Sequence, residues 1–169
     1  KVDLTDRKVS TEEVDELFLR HYLGGAGFVG YYLLKEMRPG AEALSPDNVL
    51  VFANGPMTGT PMPGTARSSF GAKSPVSGGL AKSEVGGFFG YELKRAGYEG
   101  VIVEGKAEKP VYLWIHEGEV EIRDASHLWG KTVLETQDAI EAELGQRFVR
   151  TATIGPAGEK MAGMACIMT

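Results

Sequence analysis

Between Asn48 and Ser83 the chain holds no aspartate and no glutamate, while Arg67, Lys73 and Lys82 are present. The whole chain has a formal net charge of -5, so this stretch is a local cationic gap in an acidic protein. Clearing carboxylates from one segment keeps it hospitable to a negatively charged ligand, since an interspersed carboxylate would repel it; a solvated loop that lacks acids by chance is the plainer alternative. Within the segment, Gly59-Thr60-Pro61-Met62-Pro63-Gly64-Thr65-Ala66 constrains a loop and presents Arg67, whose planar fork suits phosphate oxygens. Ser83-Glu84-Val85-Gly86-Gly87-Phe88 then reads as a loop entering a helix. There Gly86 and Gly87 allow close approach, and unpaired N–H groups attract an anion. Glu84 is either a surface carboxylate near a helix start or a group that reaches phosphate through a divalent cation or its backbone carbonyl.

Other motifs point away from a reaction centre. Gly25-Ala26-Gly27-Phe28-Val29-Gly30 has the letters of a dinucleotide fingerprint. That fingerprint follows a strand, whereas Leu17 to Leu23 has helical periodicity, so a helix–glycine–helix corner is expected instead. His21, His116 and His127 are far apart on a helix, a hairpin and a loop, and read as structural histidines. Cys166, the single cysteine, excludes an intrachain disulfide and any multi-cysteine metal site within these residues. Its apolar surroundings predict a buried, inert thiol. Glu135, Asp138, Glu141 and Glu143 read as the wet face of a helix.

The elements that must position these residues follow from periodicity. Val2 to Val9 predicts a short hairpin, and Val14, Leu17, Phe18 and Tyr22 a helix ending at Gly24. A second helix is expected over 28–37, stopped by Pro39-Gly40, and a buried strand over 49–53. A helix over 88–96 leads to a strand at Val101-Ile102-Val103, then to a hairpin from Val111 to Ile122 turning at Glu117-Gly118. Thr132 to Leu144 is an amphipathic helix closed by Gly145, and final strands are expected near 149–154 and 161–167. The 23 glycines cluster at 24–27 and 55–90, as tight turns or as loops built for contact. With 169 residues and 43% apolar content, one domain spanning 1–169 is expected. Its fold class is α+β, with mixed β-sheets, hairpins and a few short helices. The charge argues against nucleic acid and a membrane surface as partners; no apolar run approaches a membrane span, and a reducing, cytoplasmic setting is expected.

Several ordered blocks then carry a family resemblance: Leu23-Gly24-Gly25, Leu44-Ser45-Pro46-Asp47-Asn48, Gly55-Pro56-Met57-Thr58-Gly59-Thr60, Lys73-Ser74-Pro75, Gly86-Gly87-Phe88-Phe89-Gly90, Glu92 to Tyr98, Val103 to Trp114, Ile122 to Gly130, and Ile154-Gly155-Pro156-Ala157-Gly158-Glu159. Together they resemble the N-terminal domain of tungsten-containing aldehyde:ferredoxin oxidoreductases. The resemblance implies a mixed-sheet platform beneath a tungsten atom held by two pterin dithiolenes (tungstopterin), the pterin phosphates linked through magnesium. It implies that Arg67 contacts this cofactor, that Gly86 and Gly87 lie beside it, and that the Glu84 backbone carbonyl binds magnesium where relatives often have Asn. Ala26 departs from the pattern, since relatives often carry Arg there. The parent would oxidise small aldehydes to carboxylic acids and pass electrons to ferredoxin, in some members as a homodimer. A [4Fe–4S] cluster and the catalytic groups belong to later domains outside these residues, so this chain alone is expected to be inactive. A parent that reduces an aromatic acyl thioester, and a non-catalytic phosphate-ligand module, are the alternatives.

Overall fold

The computed structural model describes residues 1–169. A hairpin, β1 (Val2–Asp3) and β2 (Lys8–Val9), precedes helices α1 (Glu16–Tyr22) and α2 (Gly25–Glu36). Three strands follow, β3 (Leu50–Asn54), β4 (Ser68–Lys73) and β5 (Leu80–Val85), then α3 (Phe89–Arg95) and β6 (Gly100–Glu104). A second hairpin, β7 (Val111–His116) and β8 (Glu119–Asp124), leads through a 3-10 turn at Ser126–Leu128 to α4 (Val133–Leu144) and the short α5 (Gly155–Glu159). The first sheet has six strands in the order β2-β1-β6-β3-β4-β5, with β1 parallel to β6 and every other pair antiparallel. The strands β7 and β8 form a separate two-stranded sheet, so the architecture is α+β with mixed sheet, as expected.

Local chemistry explains the helix ends. Asp15 caps α1 by accepting from the Phe18 N–H at 2.7 Å, and Leu23 closes it in the left-handed region. Thr132 and Glu135 form a reciprocal capping box on α4, and Gly145 terminates it at φ 62°. The expected corner between α1 and α2 is present, although α2 starts three residues earlier than its apolar face implies. Gly24 makes this possible. Its φ is 69°, and a Cβ there would run into the carbonyl oxygen of Asn54. All six residues of the dinucleotide-like motif lie inside α2, with no strand before them.

The core forms where α2 lies on one face of the sheet. Phe28, Val29, Tyr32 and Leu33 recur at helical spacing and pack on Val49, Val51, Ala53 and Ile102. Each such buried side chain contributes about 1.5–3 kcal/mol. Phe18 of α1 adds aromatic contacts to Tyr22, Phe28 and Tyr31 at centroid distances of 4.8, 5.1 and 4.8 Å. A smaller cluster of Ala125, Leu128 and Ile140 joins the second hairpin to α4. No helix is long and apolar enough to cross a membrane.

Three sequence expectations fail. The glycine-rich stretch 55–90 contains strands β4 and β5, and Ser83, Glu84 and Val85 belong to β5, so only Gly86-Gly87-Phe88 of that segment is a loop entering a helix. Strands at 149–154 and 161–167 reduce to one bridge between Thr153 and Met168. Pro156 in the first turn of α5, with its fixed φ and missing N–H, favours helix over ladder at that point. Without a second layer over this segment, Cys166 is exposed and not buried.

Gly71 of β4 lies directly under Val29, and a Cβ there would overlap the valine side chain and come within 3.2 Å of the Ala81 carbonyl. Gly71→Ala is expected to destabilise the chain by about 1–3 kcal/mol, the usual cost of overpacking. Urea unfolding of Gly71→Ala, Val29→Ala and the double variant checks this. The double variant should lose less than the sum of the singles, because the two changes share one volume.

Candidate anion-binding site

Three strand ends meet beside the α1–α2 corner. Asn54 of β3, Ser68 of β4 and Val85 of β5 stand in one register row. Alternation along the strands sends Ser68 and Asn54 to the α3 side, where the Ser68 hydroxyl donates to Asn54 Oδ1 at 2.8 Å. Both are buried, and Gly90 of α3 sits so close that a Cβ would overlap both polar atoms. On the other side, facing the start of α2, the same alternation places Arg67, Ser69, Glu84 and Gly86 together.

The main chain of Arg67 is held from three directions. The buried Thr58 hydroxyl donates to the Arg67 carbonyl at 2.7 Å and lies 3.3 Å from the Arg67 N–H, and the Gly55 N–H donates to the same carbonyl at 2.8 Å. The side chain is left exposed. Its only hydrogen bond is a long one, 3.5 Å, from Nη1 to the neighbouring Ala66 carbonyl, and no carboxylate pairs with it. Nη1 rests where a Cβ of residue 86 would be, so only glycine at 86 leaves room for this guanidinium pose. Gly87, with φ 84°, has open space around its own Cβ position.

The other two cations of the acid-free stretch are committed. Lys73 Nζ donates to the Ala41 carbonyl at 2.5 Å, and Lys82 Nζ bridges to Glu84 Oε1 at 2.6 Å. The three positive charges counted in sequence therefore become one uncommitted guanidinium. The Glu84 carboxylate also accepts from the Ser69 hydroxyl at 2.8 Å. Its pKa is lowered chiefly by the Lys82 hydrogen bond, with burial opposing and Ser69, Lys82 charge and Arg67 charge adding to the pull. Glu84 is thus neutralised by a lysine rather than left to repel an incoming anion. Edge strand β5 also carries backbone carbonyls without a strand partner on its outer side.

The helix start expected beside Gly86-Gly87 is weaker than the sequence implies: α3 has seven residues and no side-chain cap. What the structure offers an anion here is the exposed Arg67 guanidinium and the open glycine backbone at Gly86 and Gly87. Sequence reading missed Thr58, Ser69 and Asn54, whose functions appear only when β3, β4 and β5 are in register. His21, His116 and His127 are not brought together. His127 pairs with Glu143 at 3.0 Å, and His116 stacks on Trp114 with centroids 5.4 Å apart. No three His, Cys, Asp or Glu residues are grouped to hold a metal ion.

Comparison with known proteins gives a consistent result. Residues 1–169 match the family model described as aldehyde ferredoxin oxidoreductase, N-terminal domain. The chain is 49% identical over 168 residues to the tungsten-containing aldehyde ferredoxin oxidoreductase of Pyrococcus abyssi, and 48% identical to that of Pyrococcus furiosus. In each case 99% of this chain is covered, and it spans 28% of the relative's length. Among solved structures it resembles a chain of the active site complex BamBC of benzoyl coenzyme A reductase in complex with 1,5 dienoyl-CoA. That likeness has a TM-score of 0.95 and 41% identity, covering 99% of this chain and 26% of that one.

Two outcomes follow from the geometry. Gly86→Ala should change stability by less than about 1 kcal/mol, because the displaced atom is the tip of a flexible side chain. It should nevertheless displace the Arg67 guanidinium, seen as a shift of the Arg67 Nε–Hε resonance. Glu84 should titrate below the ordinary glutamate range by carbon-detected NMR, and Lys82→Met should move its midpoint upward. The stability contributed by this pair is present above the ordinary glutamate pKa and lost as pH falls through the folded-state value.

Proposed function

Because the chain belongs to the aldehyde ferredoxin oxidoreductase N-terminal domain family, we propose that it is the platform on which a tungsten bis-pterin cofactor rests. The observation that carries this reading is Arg67, anchored through its backbone by Thr58 and Gly55, without a carboxylate partner, and packed against Gly86. The residues present fit a phosphate-bearing group: one free guanidinium, a glycine pair that admits close approach, and a nearby carboxylate already paired to lysine. When bound, the tungsten centre supplies the two-electron redox chemistry.

In this reading the chain's own residues bind and orient. Arg67 holds phosphate oxygens of the pterin, Gly86 and Gly87 let the backbone lie against it, and the Glu84 backbone carbonyl meets magnesium while its side chain stays with Lys82 and Ser69. The Asn54–Ser68 pair beneath Gly90 keeps this surface from shifting, so the backbone that carries Arg67 does not reorganise on binding. Aldehyde oxidation to a carboxylic acid, ferredoxin as electron acceptor, a [4Fe–4S] cluster, a cytoplasmic location and a possible homodimer are proposed for the protein that carries this chain. Substrate contacts would lie outside the matched 28% of its relatives. The likeness to a benzoyl coenzyme A reductase chain supports a second reading, in which the same platform serves reduction of an aromatic acyl thioester.

Arg67→Ala in the gene product that carries this chain should lower tungsten and pterin content several-fold while leaving the unfolding free energy within about 1 kcal/mol of wild type. Arg67→Lys should restore content only in part, since lysine cannot bind bidentately. Wild-type metal and pterin content in Arg67→Ala would reject the reading. Turnover of simple aldehydes against aromatic acyl thioesters, in the same preparation, separates the two substrate classes.

A further inference from the structure

Arg150 lies far from Arg67 in sequence, yet its guanidinium carbon sits 4.8 Å from the centre of the Phe88 ring. Phe88 follows Gly86-Gly87 directly and is 62% exposed. The placement of Arg150 is built into the fold. Gln137 of α4 donates from Nε2 to the Val149 carbonyl at 2.6 Å and accepts from the Thr151 hydroxyl at 2.6 Å. One buttressed glutamine thus grips the residues on both sides of Arg150, and the arginine side chain extends over the ring. Arg150 makes no ion pair.

A guanidinium stacked on an aromatic face engages its flat surface and leaves its edge N–H donors free for an anion. Arg67 rests on Gly86 and Arg150 on Phe88, two residues whose Cα atoms are at most about 7 Å apart. The glycine between them has a positive φ and open space above it. Both guanidinium groups thus border the short Gly86–Phe88 segment, and neither has a carboxylate partner. We propose that Arg150, held edge-outward by Phe88, is a second anion-binding residue of this site, which makes the cradle selective for ligands with more than one phosphate charge. The proposal rests on the anion-binding reading of Arg67.

Inorganic pyrophosphate titrated into the chain at low ionic strength, followed by calorimetry and phosphorus NMR, tests it. Arg150→Gln should weaken binding about tenfold, the scale of one lost charge-assisted contact. Arg150→Lys should recover part of that loss. Phe88→Leu, which keeps the arginine and removes the ring, should also weaken binding, by a smaller factor. Arg147→Gln removes an exposed arginine of the same segment that has no ring beneath it, and should bind as wild type. Wild-type affinity in Arg150→Gln, or an equal loss in Arg147→Gln, would overturn the proposal. If Arg67→Ala loses binding while Arg150→Gln does not, only this inference fails. If Arg67→Ala binds as wild type, the reading of the site fails with it.

Discussion

The site depends on one constraint: the main chain of Arg67 is immobilised at a strand end while its guanidinium has no carboxylate partner. Thr58 and Gly55 saturate the Arg67 carbonyl, and the β3–β4–β5 register fixes where the next residues point. An arginine free at both ends would lose side-chain and backbone entropy on meeting a ligand. Here the backbone share of that cost is met during folding, and only the side chain must settle. Gly86 completes the arrangement by leaving the volume that the guanidinium occupies.

Around that arginine the charges are sorted. Lys73 is turned to a backbone carbonyl on the far end of β4, and Lys82 holds Glu84 in its ionised form. The result is a strand surface whose one uncommitted charge is the Arg67 donor fork, and a directional fork favours a ligand able to accept hydrogen bonds over diffuse attraction of any anion. The same sorting removes the difficulty that a glutamate poses beside a phosphate. Because the carboxylate is engaged by Lys82 and Ser69, the magnesium contact proposed for this residue falls to its backbone carbonyl.

Much of the fold was legible because its signals are local. Gly145, the turn at Glu117-Gly118 and the apolar run from Val49 each specify their element within a few residues, whereas Glu135, read as part of a wet helix face, is also the N3 half of the α4 capping box. β4 and β5 were not. Ser68-Ser69-Phe70-Gly71-Ala72-Lys73 has little β-branched character, and it is a strand because it pairs with β3 and must stay thin beneath Val29. Residues 149–167 show the converse. Their apolar content reads as strand, but they find no neighbour to pair with beyond one bridge. Arg67 and Gly86 stood out by charge and composition. Thr58, Ser69 and Asn54 did not, since nothing in their spacing marks them until two strands are placed in register.

The most direct test is the arginine side-chain Nε–Hε spectrum of the chain as inorganic phosphate is added. An anchored guanidinium without a carboxylate partner predicts a saturable shift of the Arg67 resonance at concentrations that leave a distant arginine, such as Arg38 beyond the far end of α2, unmoved. An Arg67 resonance that stays still, or moves only in step with every other arginine, would contradict the account.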